Sequence, residues 1–362
     1  MIVSKRNYTL EFWRFVFAIS ICAFHFELKY VEIFGVENTF FASGYMGVEF
    51  FFIFSGFFIA QWRDKIKLDV PVAEAGNAAL LFVKKKFKLL WPKFAVVVLF
   101  LLVFIESHSV SQLAKNIMNL EWDLTFLQNF SVGRQQTLLP PMWYVSSLII
   151  TGYFLVFFIS WKKYFTLYIL APIACLLGYS FYGFRTTVLI SNAELFGFLS
   201  SGTIRGFAGL ALGIITYQIY LKVVQIKMTK FRLILFNFLE LYAIYRTVTL
   251  IFMHPADINN FRLLFYFPII IIISFMNVTV LAKILNNKIS KYLGSISLNV
   301  YLIHYGIQLA FLGIVKAPNG RIVDLPLFIC VTILLAIIME AAVKCVPALY
   351  SLLKKVTRKP MV

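Results

Sequence analysis

Arg14 and His25 lie eleven residues apart in the segment LEFWRFVFAISICAFHF. Eleven steps of about 100° return to within roughly 20° of the start, so a helix here presents both side chains from one face, separated by about 16 Å of rise. An imidazole whose unperturbed pKa is near 6.5 takes up and returns a proton close to neutral pH, while a guanidinium holds an anion. Glu11 precedes Arg14 by three positions and is placed to pair with it across one turn. Ala18 and Cys22 complete a stripe on an otherwise Phe- and Ile-rich helix. Ionisable groups at membrane depth are costly and are usually retained for a task. A second reading stands beside this one: Arg14 snorkels to the inner surface and His25 sits at the outer interface.

The elements that must carry these residues are apolar. Of 362 residues 61% are hydrophobic and 14% charged, against about a quarter charged in an average soluble domain. The expected fold is all-α and polytopic, with ten spans near 9–28, 44–62, 92–106, 141–160, 164–182, 203–221, 232–252, 263–282, 292–315 and 325–350. The third is short and is expected to begin before Pro92; the last is long enough to run into the interface. The run after Lys5 and Arg6 is span-length and lacks a small-residue cleavage site, so no cleavable signal is expected. Most of the 34 Lys and Arg residues fall on alternate connecting segments, which puts both termini in the cytoplasm. The same bias accounts for the net charge of +18, and nucleic acid is not required to explain it. A single transmembrane domain over 1–351 with a short basic tail over 352–362 is expected. Multi-pass residence in the plasma (inner) membrane, among its lipids, follows.

A second polar cluster is GYMGVEFFFIFSGFFIA, residues 44–60. Gly44, Gly47 and Gly56 allow close approach of a neighbouring helix or ligand, and Glu49 and Ser55 add polar groups within the span. Ser55 lacks the strand-to-helix turn of a hydrolase serine. Glu340 and Lys344, four apart, are expected to pair, and Arg205 to bridge helices or snorkel. Glu240 and Arg246 differ by about 240° round their helix, so each needs a partner elsewhere. His108 and His254 lie in loops or at helix ends. The four cysteines are scattered without metal-ligand spacing, so no metal site is indicated.

The two clusters resemble the acyltransferase 3 family of membrane acyltransferases. Its first-span pattern of an acidic residue, then Arg, then His is matched by Glu11, Arg14 and His25. Its second-span pattern is matched by Gly47, Val48, Glu49, Phe51, Phe52, Ser55, Gly56 and Phe57. TFLQNF at 125–130, Met142-Trp143-Tyr144 at the start of span four, and LGSISLNVYLIH ending at His304 resemble further family elements, so the likeness runs over nearly the whole chain. Where the family shows Arg-x-x-Arg before a Pro, this chain has Lys84, Lys85, Lys86 and Lys88 ahead of Pro92; lysine supplies charge without the bidentate fork. Ser146 and Ser147 stand where several relatives carry a Glu after the Trp.

The resemblance implies a standalone sugar or polysaccharide O-acetyltransferase without an SGNH hydrolase-like domain. Acetyl-CoA is then the acyl donor, no cofactor is resident, and the acceptor is a sugar, polysaccharide or lipid-linked glycan. His25 would be the general base or a transient acyl carrier, and Arg14 with Glu11 would steady the donor or an anionic part of the path. Glu49, Ser55, Gly56, Phe57, Trp143 and His304 would line the path or support it, and Lys85, Lys86 and Lys88 would receive donor phosphates. A stripe open between Arg14 and His25 would line the route. Two rival classes are a transporter or flippase for a lipid-linked saccharide or anionic solute, and an inactive scaffold in an envelope-polysaccharide complex. Nothing in the residues indicates an oligomeric state.

Overall fold

Asn7 opens the first helix: its side chain accepts from the backbone of Thr9 and Leu10 at 3.0 and 3.3 Å, satisfying donors that no helical carbonyl reaches. The same side chain donates to the carbonyl of Ser274 at 2.6 Å, so the cap also ties the helix to a distant segment. Gly35 closes it at φ 67° with its N–H on the carbonyl of Val31, a left-handed cap that glycine adopts without a Cβ penalty. In this computed structural model the described residues are 7–35, 40–65, 69–104, 110–118, 120–129, 137–185, 188–189, 194–195, 199–314 and 320–356.

Ten long helices run through the described residues. They are α1 (Tyr8–Phe34), α2 (Gly47–Asp64), α3 (Val72–Phe104), α4 (Trp143–Trp161), α5 (Ala171–Arg185), α6 (Ser201–Val223), α7 (Lys230–Met253), α8 (Leu263–Met276), α9 (Lys288–Ile314) and α10 (Arg321–Val356). Eight helical stretches are long and apolar enough to cross a membrane. Helices α1 and α3, with 27 and 33 residues, also have the length to cross, and they carry Glu11, Arg14 and the lysine run. A π-turn over Thr166–Leu170 leads into α5, and the one strand pairing among the described residues joins Glu194–Leu195 to Leu199–Ser200.

Three pairings organise the bundle: α1 lies along α9, α2 along α6, and α3 along α4. Helices α2 and α6 cross with backbones in contact. A Cβ at Gly56 would meet the carbonyl of Leu210, and one at Gly213 would meet Ile53 and Gly56. Small residues at a crossing allow this approach, which supplies packing where lipid gives no hydrophobic drive between helices.

The third span begins before Pro92, as expected, but far earlier: α3 is continuous from Val72 and takes in the lysine run. Its Ala, Leu and Lys residues are strong helix formers. Pro92 removes only the bond to the carbonyl of Lys88, four residues earlier. The lysines therefore ride on a helix. Residues 107–140 contain two short helices, Val110–Met118 and Leu120–Thr125, and α10 continues into the basic segment after 351 as far as Val356. His108, Phe130 of TFLQNF and residues 357–362 lie outside the described residues.

Candidate active site

Helix α1 brings Arg14 and His25 to one bundle interior, but the face between them is closed. Ala18 and Cys22 are fully buried, with the Cys22 thiol 3.9 Å from the carbonyl of Val300 on α9. The expected open stripe is thus a helix-to-helix seam, because α1 lies tightly against α9.

At one end, Arg14 pairs with Glu11 at 2.5 Å and its guanidinium stands 5.6 Å from the ring of Phe54 on α2. Glu11 is pressed onto Gly294 of α9, whose added Cβ would strike the Glu11 side chain. Gly294→Ala is therefore expected to cost about 1–3 kcal/mol through overpacking and to push the carboxylate off Arg14. A lowered melting temperature in detergent checks this. The charge of Arg14 acts on Lys86, which is half-buried beside Phe82. An anion entering between these two cations relieves their repulsion. Lys85 and Lys88 are exposed, and Lys85 lies 5.2 Å from the Trp62 ring.

At the other end, His25 is half-buried and its ring centroid is 5.2 Å from that of His304. His304 is fully buried, with Nδ1 2.6 Å from the carbonyl of Tyr301. Gln308, one turn on, donates to the carbonyl of His25 at 2.9 Å. The two ends are joined by tyrosines. Tyr144 of α4 lies beside Ser55 of α2 and within electrostatic reach of Arg14. Its ring is 5.8 Å from Tyr301, which is 5.8 Å from His304. Tyr301 is anchored by donating its hydroxyl to the carbonyl of Pro141. A line of polar-tipped rings thus runs from Arg14 through Tyr144, Tyr301 and His304 to His25, bypassing the closed seam.

Glu49 and Trp143 belong to a neighbouring node. Glu49 is fully buried and forms an ion pair with Arg205 of α6, and it accepts from the Tyr179 hydroxyl of α5 at 2.6 Å. Arg205 also donates to the carbonyls of Leu189 and Tyr45 at 3.0 and 3.1 Å, and the Trp143 ring covers it at 5.0 Å. Arg205 thus bridges helices. Gly56 is consumed by the α2–α6 crossing. Phe57 packs edge-on to Tyr217 and Phe275 in the core. Lys93 is the closest ion-pair partner of Glu340, at 2.7 Å, with Lys344 at 3.4 Å. The expected i,i+4 pair is therefore the outer part of a bridge linking α3 and α10. Arg246 lies near Tyr266 and Glu240 near Thr279, each off its own helix, and both Glu240 carboxylate oxygens are buried without a hydrogen-bond partner among the described residues.

TFLQNF proves to be a clamp. Asn129 donates its backbone N–H to Ser146 at 3.1 Å and its side-chain amide to Ser147 and Thr203. Its amide oxygen accepts from Ser200. This knot pins the starts of α4 and α6, and gives Ser146 and Ser147 a structural role. Asp123 steadies the same segment by accepting from Thr137 at 2.6 Å and from the backbone of Leu138 at 3.0 Å. Burial pushes its carboxyl above the ordinary carboxylate range.

Tyr144 and Tyr301 are the site residues that sequence reasoning passed over. Both stand in segments it had singled out, but a tyrosine in an apolar helix carries no spacing signal of its own.

No curated protein and no solved structure matches the chain. The family model described as an acyltransferase domain matches residues 7–341. With that match spanning the helices that hold Arg14, Tyr144, His25 and His304, the chain belongs to the acyltransferase 3 family of membrane acyltransferases.

Proposed function

We propose that this protein moves an acetyl group from cytoplasmic acetyl-CoA to a hydroxyl of a sugar on the far side of the plasma (inner) membrane, in a surface polysaccharide or a lipid-linked glycan. The observation that carries the reading is the line of rings joining a basic end at Arg14 and Lys86 to an imidazole end at His25. Lys85, Lys86 and Lys88 receive the donor phosphates, and Arg14, oriented by Glu11, steadies the anionic stem. Ser55 and Tyr144 border the passage, and the Glu49–Arg205 node with Trp143 holds its wall.

His25 works at the acceptor end. It takes the proton of the sugar hydroxyl as the oxygen attacks the thioester carbonyl. The carbon–sulfur bond then breaks, and the departing thiolate receives that proton from His25. Acyl transfer across the bilayer requires donor and acceptor to reach one site from opposite faces. A helix carrying a cation at one end and an imidazole roughly 16 Å along its axis suits that demand.

The test uses the purified full-length chain in detergent, radiolabelled acetyl-CoA, and surface polysaccharide from the producing cells stripped of acyl groups by alkali. Label passing into the polysaccharide with matching loss of thioester is the expected result. Intact acetyl-CoA with a saccharide carried into proteoliposomes would replace this reading with the transporter.

A further inference from the structure

His304 has one ring nitrogen engaged and one unpaired. Nδ1 faces the carbonyl of Tyr301 at 2.6 Å. A carbonyl only accepts, so Nδ1 bears the hydrogen and Nε2 of the neutral ring keeps its lone pair. Nε2 is buried without a hydrogen-bond partner among the described residues. Buried polar atoms are rarely left unsatisfied, and those that are call for a reason. The reason stands alongside, since the His25 ring is centred 5.2 Å away. Two imidazoles at that centroid separation, turned so that their nitrogens face edge to edge, place N–H and N roughly 3 Å apart, hydrogen-bond distance.

We infer that His304 is a positioning residue for His25. Its Nε2 accepts from one ring nitrogen of His25, which fixes the tautomer and leaves the opposite nitrogen with its lone pair toward the acceptor hydroxyl. When His25 takes the proton, the imidazolium keeps that hydrogen bond and is stabilised by it. The Tyr301 carbonyl, His304 and His25 then form a chain in which each group orients the next, as the third member of a catalytic triad orients its base. His304 is fully buried, so it acts through His25. Gln308, held on the backbone of His25, keeps α9 and α1 in register for the contact, and the Tyr301 hydroxyl, held on Pro141, ties α9 to the start of α4. The inference rests on the reading of His25 as the base.

Two variants of similar polarity separate orientation from packing. His304→Gln can place its amide oxygen near the Nε2 position and still accept from His25. His304→Asn ends near the Nδ1 position, keeps a donor for Tyr301 and offers His25 nothing. With acetyl-CoA and alkali-stripped polysaccharide as substrates, His304→Asn is expected to lower kcat about a hundredfold with KM for acetyl-CoA within about twofold, and His304→Gln to stay within about tenfold of the unaltered chain. Equal losses in the two variants, in kcat or in yield of folded protein, overturn the inference, as does an undiminished kcat in His304→Asn. His25→Ala is measured in the same series. Full activity there removes the reading of His25 as base, whereas an inactive His25→Ala beside a fully active His304→Asn removes only the role given to His304.

Discussion

His25→Ala is expected to lower kcat for acyl transfer by about a thousandfold, within the range a positioned general base contributes, while the melting temperature in detergent stays close to that of the unaltered chain. His25 is half-buried, its ring touches Phe24, His304 and Tyr305 through ring faces and edges, and the hydrogen bond that ties this turn of α1 to α9 uses its backbone carbonyl. Truncation therefore removes the proton acceptor and leaves the helix contact in place. KM for acetyl-CoA should be nearly unchanged, because the cations assigned to the donor lie at the other end of the path. A variant that transfers label at the normal rate would refute the role of His25. A proportionate rise in KM alone would make it a binding residue.

Glu49→Ala is expected to have the largest effect on stability. It removes a fully buried carboxylate and strands a guanidinium that is 2% exposed, and breaking a buried pair by removing one partner typically costs about 3–5 kcal/mol. The Tyr179 hydroxyl loses its acceptor in the same step. Arg205 keeps the carbonyls of Leu189 and Tyr45 and the face of Trp143, which hold its hydrogens but not its charge. The paired change Glu49→Leu with Arg205→Met should recover much of the loss, since a well-packed apolar pair of similar volume is often as stable as a buried ion pair. Melting curves of the three variants in one detergent decide the matter. An unchanged melting temperature for Glu49→Ala, or a double variant less stable than the single, would show that the node does not depend on its charges.

The first span shows how far local pattern reaches. The eleven-residue spacing of Arg14 and His25 required a shared helical face, and α1 is one unbroken helix over both. The step from a shared face to a shared channel failed at Ala18 and Cys22, because small residues on a helix face invite a neighbour as readily as they leave room. Pattern could not distinguish the two outcomes without the partner helix. The lysine run was legible as charge, and the third span was expected to start before Pro92, but no local signal marked how far back: α3 runs unbroken from Val72 through Pro92. Arg205 and Glu49 each stood out as ionisable groups within apolar segments. Their union across 156 positions has no periodic signature.

An all-helical chain of long apolar segments, the reach of Glu11 to Arg14, and the shared face of Arg14 and His25 could all be read from the residues alone, because each depends on composition or on the fixed geometry of one helix. The packing of helix on helix is what lines up Tyr144, Tyr301 and His304 between those two residues, brings Lys93 to Glu340, and joins Glu49 to Arg205. Those contacts depend on which helices lie side by side, and in a membrane that is settled by close backbone packing and the pairing of buried polar groups, which no single segment encodes.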